Sequence, residues 1–321
     1  MCWICDYLRQ FIIRIDIFFD YIDFQKPKAS HLVLYLFRLY LGSMVYFEVL
    51  VSTMFRSDLS FLESMFVNNN IDDYAILVIN QTNRGEELKS KQSNVRVVNS
   101  YDRGTSSSRN LAITHTKADY ALFADDDTVF VTNFEQIILR EFEKYTDAYL
   151  ITFECTTGDL YHKHTRYPSP GKHTKKSLKP IHMVVMAIRV EVLKAANVYF
   201  NPYFSLGGLF SGGTEYVFLR AAYDKKLIAY HVDQNIVHHH ELSSGKMMAA
   251  NRNLHTRAAR VNHFYGVLCA YIWLGKYILF LWRNDYISSC QIAEKYQAGK
   301  KGIQDYQNLL RQGAIKRPSL L

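Results

Sequence analysis

Residues 119–131 read Asp-Tyr-Ala-Leu-Phe-Ala-Asp-Asp-Asp-Thr-Val-Phe-Val, so an apolar run leads directly into Asp125, Asp126 and Asp127. The run predicts a buried β-strand, whose alternation would send Asp125 and Asp127 to one side and Asp126 to the other. Adjacent carboxylates repel one another unless a cation neutralises them, and carboxylate oxygens are ligands for hard divalent ions. The segment therefore predicts either a divalent-ion site that meets a phosphate or a solvated acidic turn.

A segment rich in Gly, Ser and Thr lies shortly before this acidic trio. Residues 99–113 read Asn-Ser-Tyr-Asp-Arg-Gly-Thr-Ser-Ser-Ser-Arg-Asn-Leu-Ala-Ile. The pattern predicts a loop that opens a helix, where backbone N–H groups and hydroxyls can bind an anion. Arg109 is a further candidate ligand for that anion.

Two short apolar strands are predicted still earlier, within residues 48–56 and 74–83. Each ends in polar side chains, which include Thr53 and Arg56 in the first and Asn80 in the second. In an open α/β sheet the ligand binds beyond the carboxyl ends of the strands. These side chains are therefore expected to lie at one site.

The order of these elements carries a family resemblance. Strand, helix (58–66), strand, strand (95–99), helix (107–116), strand and acidic trio follow one another as in the nucleotide-sugar domain of family 2 glycosyltransferases, which this half of the chain resembles. The Arg-Gly-x-Ser-x-Ser-Arg-Asn segment and the Ala-Asp-Asp-Asp run are close to patterns of that family, whose acidic motif is Asp-x-Asp. The resemblance implies an α/β protein of the GT-A fold, with a Rossmann-like central mixed sheet flanked by helices and with helical N- and C-terminal extensions.

A second block supports the resemblance. Residues 200–220 read Phe-Asn-Pro-Tyr-Phe-Ser-Leu-Gly-Gly-Leu-Phe-Ser-Gly-Gly-Thr-Glu-Tyr-Val-Phe-Leu-Arg, which is similar to the family's Phe-Asp-x-x-Phe-x-x-Gly followed by Gly-Gly-Glu-Asp-x-x-Phe. The last acid of that pattern is the catalytic base, so the resemblance gives this role to Glu215. Thr214 replaces the first acid, and Glu215 is one methylene longer than the usual Asp. The alternative is a carboxylate that only stabilises the first turn of a helix.

Three histidines end a later apolar run. His238, His239 and His240 follow residues 227–237, and alternation along a strand places His238 and His240 on one face and His239 on the other. The resemblance implies a third metal ligand in this region, for which His238 comes first and His240 second. A polar strand end without a metal is the alternative.

The resemblance implies a metal-dependent, inverting enzyme of bacterial surface-polysaccharide type. It would transfer a sugar from a nucleotide-sugar donor, expected to be a UDP-sugar, to a hydroxyl of a glycan or lipid-linked acceptor. The nucleotide-binding residues would be Thr53, Arg56, Asn80, Arg109, Asp125 and Asp126. The ligands of Mn²⁺ or Mg²⁺ would be Asp125, Asp127 and His238. A nucleotidyltransferase on a related scaffold, or a degenerate protein that binds a nucleotide or glycan without turnover, remains the alternative.

Composition favours a cytoplasmic enzyme. The chain of 321 residues has a 49% hydrophobic content, five cysteines and a net charge of +8. An odd, scattered set of cysteines indicates reduced thiols. Phosphates or an acidic membrane explain the positive charge better than nucleic acid, because no nucleic-acid motif accompanies it. The basic stretch 162–179 is expected to be a loop, either folding over a ligand or simply solvated.

The predicted organisation has three parts: an N-terminal helical extension (1–45), a GT-A catalytic domain (46–245) and a C-terminal helical extension (246–321). Within the last part, residues 264–282 are apolar apart from Lys276 and rich in aromatic side chains. This composition suits a helix on the membrane surface or one buried against the enzyme better than a spanning helix. Peripheral contact with the inner face of the cytoplasmic membrane is therefore possible, and the oligomeric state is not predicted.

Overall fold

The computed structural model describes residues 45–157, 162–163, 167–239 and 248–318. Residues 46–321 form one compact unit. The predicted N-terminal extension lies outside the described residues except for Val45, and so does His240. The predicted division into three parts stays a prediction.

A mixed β-sheet forms the centre of this unit. Within the described residues it has ten strands, eight of them in the order β3-β2-β1-β4-β9-β6-β10-β5, while β7 pairs with β6 and β8 with β10. The strands are β1 (Phe47–Met54), β2 (Ala75–Gln81), β3 (Val95–Ser100), β4 (Tyr120–Asp125), β5 (Thr128–Phe130), β6 (Ala148–Thr157), β7 (His162–Lys163), β8 (Gly171–Lys172), β9 (Met186–Arg189) and β10 (Ile228–His239).

Strand direction brings the predicted site residues to one edge of the sheet. β1 runs parallel to β2 and to β4, so that Thr53 is opposite Asn80 and Ser52 is opposite Asp125. β9 runs antiparallel between β4 and β6 and joins the two halves of the sheet. The mixed sheet and its flanking helices confirm the predicted α/β fold class.

Eight α-helices surround the sheet or follow it in the described part of the chain. They are α1 (Phe61–Met65), α2 (Thr105–His115), α3 (Phe134–Lys144), α4 (Val190–Ala195), α5 (Thr214–Asp224), α6 (Asn251–Tyr265), α7 (Val267–Arg283) and α8 (Ile292–Arg311). α3 shows why such a segment becomes a helix against a sheet: Phe134, Ile138 and Phe142 recur every four residues and are all buried. Burial of each such side chain contributes about 1.5–3 kcal/mol.

Helices α6, α7 and α8 pack around a second hydrophobic cluster, which includes Leu254, Leu274 and Ile303. Gly302 of α8 allows a very close approach to α6, because a Cβ there would stand 2.1 Å from the backbone oxygen of His255. The sequence predicted a helical segment over residues 246–321. The described residues of this segment are largely helical, and the helices pack against one another.

The apolar stretch 264–282 is divided between two helices. Gly266, with φ of 88°, ends α6 and begins α7. α7 buries one stripe of side chains, Ala270, Leu274, Ile278 and Leu281. In the portion of the chain that the structure describes, no helix combines the length and the apolar character needed to cross a bilayer.

Candidate active site

A cavity of about 570 Å³ opens where β1 and β4 end. Its size is in the range of small-molecule and cofactor sites, about 300–1,000 Å³. The predicted site residues that line it are Thr53, Arg109, Asp125, Asp126, Asp127 and Glu215. Two sequence segments about ninety residues apart, the acidic trio and the segment around Glu215, therefore meet in one cavity.

The three carboxylates of the acidic trio point to three different partners. β4 ends at Asp125, and Asp126 and Asp127 form a turn before β5. The predicted strand alternation therefore does not continue through the trio. One Asp125 oxygen lies 3.3 Å from Arg109 Nη2, and one Asp127 oxygen lies 3.1 Å from His239 Nε2.

Asp126 is held by two residues from the end of β1. Thr53 Oγ1 donates a hydrogen bond of 2.5 Å to Asp126 Oδ2, and Arg56 donates to the same oxygen from Nε at 2.8 Å. Arg56 Nη2 lies 2.7 Å from that oxygen, which completes a fork-like ion pair. The strand ends thus place a hydroxyl, a guanidinium and a carboxylate together, as the sequence predicted.

Arg109 connects the acidic trio to Glu215. Its side chain, on α2, is only 6% exposed, and its two Nη atoms lie 3.3 Å from Asp125 and 3.5 Å from Glu215. The guanidinium also lies over the ring of Phe200, 6.0 Å from its centroid. A buried cation is costly unless it is paired, and here two carboxylates share one cation.

Glu215 occupies the first turn of α5. Gly213, the residue that caps this helix, adopts φ of 74°, a left-handed conformation that glycine tolerates without strain. A helix N-terminus favours a negative charge, and Glu215 stands there beside Arg109. Its side chain lines the cavity.

The histidine nearest to the acidic trio is His239, not His238. His238 is buried, and its Nδ1 lies 3.2 Å from Thr156 Oγ1. His239 lines the cavity and meets Asp127 at 3.1 Å. The turn that carries Asp127 brings its carboxylate to His239. His239 is therefore a further candidate ligand beside the predicted His238, which stays a prediction.

Asn80 lies behind the cavity. It is fully buried, its Oδ1 accepts the backbone N–H of Arg56 at 3.2 Å, and its Nδ2 donates to Asn99 at 3.1 Å. Asn80 is not among the lining residues, whereas its neighbour Gln81 is. The side chain predicted to contact the base or ribose thus positions the backbone of Arg56.

Sequence reasoning missed one wall of the cavity. His182, Met183 and Val184 line it, from the turn that precedes β9. Their signal was weak, because they follow a basic stretch and begin an apolar run without a motif. Gln81 was also missed, and its Oε1 accepts the N–H of Gly104 at 2.7 Å, which connects the end of β2 to the start of α2.

Two side chains at the cavity wall, Asp127 and His239, could take part in holding a divalent ion. Among the described residues, no group of three or more His, Cys, Asp or Glu side chains is arranged to hold a metal. Asp125 is engaged by Arg109, whereas Asp127 is 60% exposed and adjoins His239. A carboxylate and an imidazole fit Mn²⁺ or Mg²⁺ when substrate phosphates and water supply the remaining ligands.

Comparison with known proteins agrees with this geometry. Residues 60–193 match the family model described as glycosyl transferase family 2. The structure of S. aureus TarS 1–349 in complex with UDP-GlcNAc is similar, with a TM-score of 0.50 and 13% identity over 84% of this chain and 92% of that chain. The same protein in complex with UDP gives a TM-score of 0.48 with the same identity and coverage. At this identity the likeness concerns the fold, and it agrees with the predicted GT-A arrangement. No curated protein matches the chain significantly.

Proposed function

We propose that this chain is an inverting glycosyltransferase, because residues 60–193 match the family model described as glycosyl transferase family 2. The donor is a UDP-sugar, and the acceptor is a hydroxyl of a glycan or of a lipid-linked oligosaccharide, in the synthesis of a surface polysaccharide. The observation that carries the proposal is the single cavity in which Arg109 links Asp125 to Glu215.

The donor's diphosphate lies at the ends of β1 and α2 in this proposal. Arg56 and Arg109 are two cations of that region, and Thr53 supplies a hydroxyl. Arginine suits phosphate because its planar guanidinium donates two parallel hydrogen bonds. TarS was solved with UDP-GlcNAc, and a UDP-sugar in a protein of this fold supports the same class of donor here.

Glu215 is the catalytic base. Its carboxylate accepts the proton of the acceptor hydroxyl while that oxygen attacks the anomeric carbon. The bond between the anomeric carbon and the UDP oxygen breaks as the new glycosidic bond forms, and attack from the opposite face inverts the configuration. Arg109, beside Asp125 and Glu215, orients both carboxylates and adds positive charge where the diphosphate departs.

The metal ligands are Asp127 and a histidine of β10, for which we take His239 rather than His238. Asp125 is the predicted second carboxylate, although it faces Arg109 in the structure. A bound Mn²⁺ or Mg²⁺ would neutralise charge on the departing UDP. The chain's own contribution is to hold Asp127 and His239 3.1 Å apart at the cavity wall.

We also propose that α7 contacts the cytoplasmic face of the membrane. Its outward side chains include Leu268, 71% exposed, and Ile272, 52% exposed, while Lys276 and Arg283 are exposed cations. The segment 267–283 contains no Asp or Glu. Exposed apolar residues interleaved with cations are typical of helices that lie in the headgroup region of anionic membranes. Such contact would bring the enzyme to a lipid-linked acceptor.

The test is an assay of UDP release and sugar transfer with a panel of UDP-sugars, with and without Mn²⁺. Turnover that requires an acceptor and increases with Mn²⁺ is the expected result. Binding of UDP-sugars without any transfer or hydrolysis would contradict the proposal and favour a degenerate binding protein. Release of pyrophosphate from a nucleoside triphosphate would instead indicate a nucleotidyltransferase.

A further inference from the structure

Two arginines of α6 stand side by side, and the described part of the chain gives neither of them an acidic partner. Arg257 and Arg260 are three residues apart, so they share one face of the helix. Among the described residues, no carboxylate lies within ion-pair distance of either guanidinium. Arg257 donates a hydrogen bond to the hydroxyl of Tyr277 and stacks on its ring, 5.4 Å from the centroid. Arg260 stacks on Tyr216, 4.9 Å from the centroid.

This arginine pair adjoins the segment that carries the proposed base. A Cβ on Gly213 would stand 3.0 Å from Arg260 Nη1, so the guanidinium lies directly against the glycine. Gly213 lines the cavity and precedes Glu215 by two residues. α6 makes a second contact with the same loop, where Thr256 Oγ1 donates a hydrogen bond to the backbone oxygen of Ser211 at 3.4 Å. α6 therefore packs behind the part of the cavity wall that contains Gly213.

The environment of Arg260 is unfavourable for a cation. The side chain is half-buried, and desolvation together with the charge of Arg257 lowers the pKa of its guanidinium. A desolvated charge without a counter-ion destabilises a fold, and two adjacent cations add repulsion. Cation–π contacts with tyrosine offset only part of that cost. An anion would remove the deficit.

We propose that Arg257 and Arg260 bind an anionic oxygen group of the acceptor, a phosphate or a carboxylate, and thereby select acceptors that carry negative charge. The inference rests on the proposed function, since it assigns the Glu215 side of the cavity to the acceptor. Arginine is suited to both groups because its guanidinium donates parallel hydrogen bonds to two oxygens.

The position of the pair separates it from the donor. The donor's diphosphate is assigned to Arg109, which lines the cavity, and to Arg56, which pairs with Asp126 of the cavity wall. Arg260 instead lies behind Gly213 of the wall and belongs to a different helix. The chain thus has one set of arginines for the donor and a second for the acceptor.

The test titrates inorganic phosphate, and in a parallel arm acetate, into the UDP-saturated protein by calorimetry. Wild type is compared with Arg260→Met and with the matched control Arg252→Met, which removes an exposed arginine of the same helix. We expect Arg260→Met to weaken phosphate binding at least about tenfold, as loss of a charge-assisted hydrogen bond does, and the control to bind as wild type does. Stronger binding of phosphate than of acetate would assign a phosphate-bearing acceptor, and the reverse a carboxylate.

Thermal unfolding without ligand supplies the second measurement. Because Arg260→Met removes an unpaired, partly desolvated charge, its melting temperature should equal or exceed that of wild type. Equal phosphate binding in wild type and Arg260→Met, with a lower melting temperature in the variant, would show that Arg260 is only structural. Should Arg260→Met fail to fold, Arg257→Met replaces it in the same titration.

The design keeps the two proposals distinguishable. UDP binding is measured first, and its absence in wild type would contradict the proposed function. If wild type does not bind UDP, the phosphate titration is performed without UDP, and weaker phosphate binding by Arg260→Met but not by Arg252→Met would still support the anion site. Normal UDP binding with no effect of either α6 substitution would overturn the anion site and leave the glycosyltransferase proposal intact.

Discussion

Replacement of Glu215 by glutamine separates chemistry from stability. The amide keeps the shape of the side chain and an oxygen for Arg109, now 3.5 Å away, but it cannot accept a proton. Loss of a general base lowers turnover by about 10² to 10⁴, which corresponds to about 2.7–5.4 kcal/mol in the barrier. We expect kcat to fall by that factor.

The same change should cost little stability. Glu215 is 28% exposed, so its ion pair with Arg109 contributes at most about 1 kcal/mol. Its position in the first turn of α5 contributes about 0.3–1 kcal/mol through the helix dipole. Together these remain below the expected change in the barrier, so Glu215→Gln should fold normally while it turns over slowly.

Steady-state kinetics measures kcat, and calorimetric titration measures the affinity for UDP. UDP affinity should stay close to that of wild type, because the carboxylate acts on the acceptor. Glu191→Gln is the matched control, since Glu191 is also a first-turn carboxylate but belongs to the exposed face of α4. Glu215→Asp should retain more activity than Glu215→Gln, because it keeps a base that is one methylene shorter. Unchanged turnover in Glu215→Gln, or loss of UDP binding together with activity, would refute the assignment.

Three further outcomes are expected. Asp127→Asn and His239→Ala should each abolish or strongly reduce the response of transfer to Mn²⁺ with little loss of fold, measured by metal titration of activity and by melting temperature; normal metal dependence in both would contradict the proposed ligands. Leu268→Ser combined with Ile272→Ser should reduce co-sedimentation with anionic liposomes while UDP binding persists, and unfolding of this variant without any liposome binding by wild type would place α7 in the core instead. Burial lowers the pKa of His173 to about 3, so between about pH 6.5 and 3 this side chain binds a proton only on unfolding. The free energy of unfolding should therefore decrease as the pH is lowered through this range, by up to about 1.4 kcal/mol per pH unit. Urea titrations at several pH values in which His173→Gln shows the same pH dependence as wild type would contradict this.

The edge of the sheet could be read from the sequence because apolar runs that end in polar residues have a simple physical meaning. Thr53, Arg56 and Asp126 meet as expected, since parallel β1 and β4 end side by side. The directions of Asp125 and Asp127 could not be read, because a turn at Asp126 interrupts the alternation on which that expectation depended.

Other misses arise from contacts that are distant in sequence. Which histidine of β10 meets Asp127 depends on how the turn approaches that strand, and in the structure it is His239. The side chain of Asn80 hydrogen-bonds to Arg56 and Asn99 instead of facing the cavity, and the local sequence pattern does not reveal these partners. The pairing of Arg109 with Glu215 likewise joins two segments that are far apart in the sequence and meet only in the folded chain.

The close approach of α8 to α6 at Gly302 sets the distance between these helices, because no side chain fits between the glycine and the backbone of His255. α6 in turn contacts Ser211 through Thr256 and Gly213 through Arg260. A bulkier residue at position 302 would therefore push α8 and α6 apart and shift the loop before Glu215. Position 302 lies almost ninety residues after that loop in the sequence. The C-terminal helices thus help to fix the position of the loop before Glu215, and substitutions in α8 could shift that loop without changing a residue that lines the cavity.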